Sequence, residues 1–112
     1  MPKTFVVIRT QFEALHCWPS APDEVAFLRE AHRHMFHVEM KWIVHHDDRD
    51  IEFFMMKWEV QEYINANMTM DLGHRSCEMI CKQLADHFKA DYVSVFEDGE
   101  NGAEYYRTFE PR

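Results

Sequence analysis

The residues of this chain best suited to chemistry are its histidines. Eight are present among 112 residues, scattered rather than gathered in a run. His32 and His34 stand two apart in HRHMFHVEMKWIVHH, where apolar and polar residues alternate. Residues two apart on a strand project from the same face, about 7 Å apart along the chain. Both therefore open the face that continues through Phe36, Val38, Met40, Trp42 and Val44. His16 closes a second alternating segment, on the face that carries Val6, Ile8, Phe12 and Ala14. Hairpin-like pairing of the two segments gathers three imidazoles at one end of a sheet. Three neutral ring nitrogens suit Zn²⁺ and leave a fourth position for water or substrate, the pattern of a catalytic rather than a structural site. The plain alternative is three histidines satisfied at strand ends. His37 and His45 fall on the opposite face and His46 beyond it, so these read as surface residues, while His87 reads as structural.

Those rings need a defined set of elements to hold them. Period-two alternation predicts strands over 4–18 and 32–46, joined by a proline-containing loop at 19–30 with a short helical turn after Pro22. DDRD at 47–50 is a charged turn. Phe53, Met56, Val60 and Ile64 then recur at helical spacing, to an end near 65–67. After a connection containing Gly73, Ser76 is placed to cap a second helix with an apolar stripe of Cys77, Ile80, Cys81, Leu84, Ala85 and Phe88. YVSVFE and AEYYRTF follow as two short strands around DGENG, a hairpin loop with two glycines. The order β-β-α-α-β-β predicts an α+β domain, a four-stranded antiparallel sheet with two helices on one face.

Composition bounds the function. The length predicts a single domain over 1–112. Twelve Lys and Arg against twenty Asp and Glu leave a net charge of −8, which disfavours a nucleic-acid partner or an anionic membrane surface. No apolar run approaches the roughly 18–20 residues of a spanning helix. The segment MPKTFVVIRTQ lacks the features of a signal peptide, and Cys17, Cys77 and Cys81 do not suggest a disulfide framework, so the expected compartment is the cytoplasm.

FEALH at 12–16 and HRHMFHVEM at 32–40 resemble the F-x-A-x-H and HGHxYxVEV elements of the 6-pyruvoyl-tetrahydropterin synthase and 6-carboxy-tetrahydropterin synthase family. IEFFMMKWEV, RSCEMICKQL and VSVFEDGENGAEYY extend the resemblance, in order, over nearly the whole chain. The resemblance implies a tunnelling fold whose subunits assemble into oligomeric barrels, commonly hexamers. It also implies zinc on His16, His32 and His34, a pterin ring held by Glu97, and pterin contacts from the backbone at Ser76 and Cys77.

The pattern breaks at two places. Leu28 stands where the family has its catalytic cysteine, four residues before the His pair, and Glu30 is the nearest carboxylate. The family's adjacent Asp-His pair is absent, and Asp71 with His74, three apart, is its nearest counterpart. An Asp-oriented imidazole is chemically suited to general-base work. Cys17 points away from the triad by strand alternation and reads as an ordinary buried thiol. Arg29, Arg33 and Arg75 are the cations nearest in sequence for a phosphorylated substrate. The expected function is a zinc-dependent lyase converting dihydroneopterin triphosphate to a 6-substituted reduced pterin, with His74, Asp71 and Glu30 moving protons. The alternative is a zinc-containing pterin- or purine-binding protein of the same fold without catalysis.

Overall fold

A computed structural model describes residues 2–107. Strands β1 (Thr4–His16), β2 (His32–Val44), β3 (Tyr92–Glu97) and β4 (Asn101–Tyr106) form one open antiparallel sheet in the order β1-β2-β3-β4. Helices α1 (Phe53–Asn67) and α2 (Cys77–Phe88) lie between β2 and β3 in the chain. The α+β architecture and element order follow the sequence reading. No helix among the described residues is long and apolar enough to cross a membrane.

Alternation decides which face of the sheet is covered. Ile8, Phe12 and Ala14 of β1 and Phe36, Val38, Met40 and Trp42 of β2 are buried. They join Val93 and Val95 of β3 with Val60 and Ile64 of α1 and Ile80, Cys81, Leu84 and Ala85 of α2 in one core. Burial of this apolar surface is the main force that seats the helices on the sheet. The opposite face carries cross-strand ion pairs, Arg9 with Glu39 and Arg33 with Glu13.

Both helices are capped by side chains that accept their first free N–H groups. Glu52 accepts from Phe54 N and Met55 N, and Ser76 accepts from Met79 N as its position predicts. Helix α2 ends at Lys89, which adopts φ 55°, and Ala90 N donates back to Ala85 O.

Several boundaries differ from expectation. Strand β1 stops at His16 rather than 18, because Trp18 N donates to Leu28 O and turns the chain away. The predicted helical turn after Pro22 is a 3-10 helix, Asp23–Leu28. Strand β2 ends at Val44 rather than 46, where Asp50 accepts from His45 N and closes the charged turn. Phe53 is 53% exposed, so the buried stripe of α1 begins further along. The last strand starts at Asn101, which puts Gly102 inside it; Thr108 and Phe109 of the expected strand lie outside the described residues. The hairpin turn is shorter than DGENG. Glu100 N donates to Glu97 O across Asp98 and Gly99, both at positive φ, as an Asp-Gly primed turn requires.

A three-histidine candidate metal centre

The register of β1 and β2 builds the site. His16 pairs directly with His32, and His34 sits one inward-facing step along opposite Ala14. Their ring centroids are 4.5 Å (His16–His32), 5.0 Å (His32–His34) and 5.3 Å (His16–His34) apart. The three offer one nitrogen each, all within 4.8 Å of one another, close enough to hold a metal ion. Beneath them the fully buried Phe36 ring packs edge-on to His16 at 5.2 Å and to His34 at 5.9 Å. Phe36 also stacks on Phe12, which ties the site to the core.

Each ring is aimed by a hydrogen bond at its far nitrogen. His16 Nδ1 lies 3.1 Å from Arg75 O and His32 Nδ1 lies 2.9 Å from Glu30 O. A carbonyl only accepts, so both Nδ1 atoms carry the proton. His34 Nδ1 is 2.7 Å from Asp98 Oδ2. The hydrogen bond from His34, with a second from Met35 N, holds the Asp98 carboxyl below the usual carboxylate range, so Asp98 is an anionic acceptor. A neutral ring with its proton on Nδ1 carries a lone pair on Nε2, the form in which histidine ligates a metal. Those three Nε2 atoms are buried and have no hydrogen-bond partner. Buried ring nitrogens without partners are costly, and a shared cation removes the cost. Outer-shell acceptors that fix the tautomer are the usual company of metal-binding histidines. The residues present thus fit an N-liganded ion.

The supporting acceptors come from three different parts of the chain. Leu72 N donates to Leu15 O and Cys17 N to Gly73 O, so the connection before α2 runs beside the end of β1 and delivers Arg75 O. Asp71 braces that connection: its carboxylate accepts from Gly73 N at 2.7 Å, and among the described residues no hydrogen bond joins it to His74. Gly73 adopts φ +63°, which glycine takes without strain. Glu30 contributes through its backbone, and its side chain is exposed.

A cleft of about 830 Å³ opens beside the triad, lined by His16, His32, His74, Ser76, Cys77 and Glu97, with Leu28 and Cys17 on its wall. Cys17 lies past the end of β1, so alternation no longer governs its direction, and it is half-buried. Glu97 ends β3 opposite Phe36. Its Oε2 is 3.2 Å from His16 Nε2 and its Oε1 is 3.5 Å from His34 Nε2. Cys77 Sγ lies 3.9 Å from the same carboxylate; burial first, then that charge, push the thiol up to about 12. The three candidate arginines are engaged with other groups. Arg29 donates to Ala21 O and Asp23, Arg33 pairs with Glu13, and Arg75 donates to Leu72 O, Gln83 and Asn67 O.

The structure thus brings His16, His32, Glu97, Ser76, Cys77 and His74 around one cleft, with His34 beside His16 and His32, and leaves the Asp71 and Glu30 carboxylates out of it. The sequence reading missed Asp98. The signal available was the Asp-Gly pair at 98–99, which forces a tight turn directly after Glu97. No family model matches the chain, and no curated protein matches it.

Proposed function

We propose that this protein is a zinc-dependent lyase of the pterin-synthase type, acting on dihydroneopterin triphosphate to give a 6-substituted reduced pterin. The observation that carries the reading is the set of three unpartnered, buried Nε2 atoms on His16, His32 and His34, with His16 and His32 lining a ligand-sized cleft. His-only ligation with an open side belongs to zinc sites that do chemistry. Zinc, when bound, supplies Lewis acidity toward a substrate oxygen. Asp98 and the carbonyls of Arg75 and Glu30 hold the rings in the ligating tautomer. Glu97 offers two carboxylate oxygens to the paired N–H donors of a pterin ring, a strong bidentate arrangement. His74, exposed at the cleft, is the side chain placed to exchange a proton with solvent. The resemblance over residues 12–16, 32–40 and 93–106 supports pterin over other heterocycles, and with it a cytoplasmic homo-oligomer built on the tunnelling fold.

Two observations favour a second reading, a zinc-containing pterin- or purine-binding protein without turnover. Leu28 lines the cleft where the family's catalytic cysteine is expected, and Asp71 is committed to Gly73 rather than to His74. Turnover of dihydroneopterin triphosphate by purified zinc-loaded protein, before and after chelation, separates the two. Chelator-sensitive product supports the lyase. Zinc-loaded protein that gives no product, yet melts at a higher temperature with a pterin or guanine ligand, supports the binding protein. Neither product nor thermal shift refutes both.

A further inference from the structure

The contacts of Glu97 raise a problem that the pterin reading alone does not solve. Its carboxylate oxygens stand 3.2 Å and 3.5 Å from His16 Nε2 and His34 Nε2, yet neither nitrogen has a hydrogen-bond partner. Their Nδ1 protons are already given to Arg75 O and Asp98. In the neutral form that ligates a metal the Nε2 atoms present lone pairs, and a carboxylate also presents only lone pairs. In that form, groups facing one another at these distances repel. A cation shared by all of them turns the repulsion into attraction. Cys77, the other candidate donor at this wall, points its Sγ at the same carboxylate, 3.9 Å away.

We infer that Glu97 is the fourth ligand of the metal in the substrate-free protein, closing a three-histidine, one-carboxylate site that opens when a substrate with N–H donors draws the carboxylate away. The inference rests on the metal-centre reading above and deepens it. Glu97 then has two roles in sequence: it tightens the metal before substrate arrives and holds the substrate afterwards. Its place at the end of β3, beside the Asp98–Gly99 turn, suits such movement, since the side chain is 28% exposed and projects into the cleft. The protein gains selectivity from this arrangement. A ligand lacking paired donors leaves the site closed.

The test uses Co²⁺ as a visible probe and Zn²⁺ affinity by chelator competition, on the full chain and on Glu97→Gln, with Glu97→Asp as a second variant. Loss of an outer-shell partner alone costs about 10–100-fold in metal affinity, so loss of a direct ligand weakens binding by about 100-fold or more. Glu97→Gln is expected to show that loss together with a changed Co²⁺ absorption spectrum, and Glu97→Asp an intermediate loss. Circular dichroism of the apo forms checks that the variants are folded. Equal affinity and an unchanged spectrum in either folded variant overturns the inference and leaves the three-histidine centre standing. Failure of the unsubstituted protein to bind Zn²⁺ or Co²⁺ overturns both.

Discussion

Asp98 is the residue whose replacement separates orientation of the triad from ligation by it. Its two carboxylate oxygens each accept one hydrogen bond, Oδ1 from Met35 N at 3.0 Å and Oδ2 from His34 Nδ1 at 2.7 Å. Asn has a single acceptor oxygen, so Asp98→Asn leaves two donors competing for one atom. Where the amide NH₂ faces His34, the ring's proton must move to Nε2, and the lone pair aimed at the metal is lost. The backbone is not disturbed by this change. Asp98 has φ 55°, a left-handed conformation that Asn adopts more readily than most residues. The expected cost is therefore that of an outer-shell partner, about 10–100-fold in zinc affinity with little change in the stability of the metal-free protein. Chelator competition reads the first and thermal unfolding of the apo forms the second. Zinc affinity within about twofold of the parent, in a variant shown to be folded, would refute the claim that Asp98 sets the His34 tautomer. A large loss of apo stability would instead show that Asp98 acts through the turn.

Other outcomes follow from the packing. Zinc at about 100 times its dissociation constant stabilises the native protein by about 2.7 kcal/mol, seen as a chelator-reversible rise in melting temperature; no rise means no binding to the folded state. Phe36→Ala removes a fully buried ring from beneath the triad and costs about 3–5 kcal/mol in denaturant unfolding, and a loss under 1 kcal/mol contradicts the packing described. Gly102→Ala drives a methyl into Val95 O and to 2.6 Å from Phe96 Cα, so the β3–β4 hairpin must shift, at about 1–3 kcal/mol; an unchanged melting temperature contradicts the hairpin register. Cys81 is pushed up to about 12 by burial and stays a thiol at pH 8, whereas Cys17 is half-buried. Iodoacetamide at that pH should alkylate Cys17 first and spare Cys81, as peptide mass mapping will show; comparable rates would mean that α2 is not packed as described.

Much of the site was legible because strand periodicity is a local property. His32 and His34 share a face by spacing alone, and their place at the head of an alternating apolar run marks that face as the covered one. His16 could be added only by assuming that β1 and β2 pair, and the observed register sets it directly across from His32. The partners that turn these rings were not legible. Arg75 O, Glu30 O and Asp98 are 59, 2 and 64 residues from the histidines they serve, and two of them act through backbone carbonyls that carry no side-chain signature. Asp71 shows that spacing alone does not establish a contact. An acid three residues before His74 looks like an orienting pair in sequence, but the left-handed Gly73 turn between them draws the carboxylate to its own loop. Strand ends erred where tertiary hydrogen bonds overrode alternation, as at Trp18, which leaves the sheet to meet Leu28.

The central claim is that His16, His32 and His34 hold a metal, and metal content per chain tests it most directly. Tag-free protein never exposed to chelator is compared with His34→Ala by elemental analysis. The account predicts about one zinc per chain in the parent and its loss in the variant, with both folded. Folded parent protein without bound metal that also takes up none on addition of zinc would contradict it.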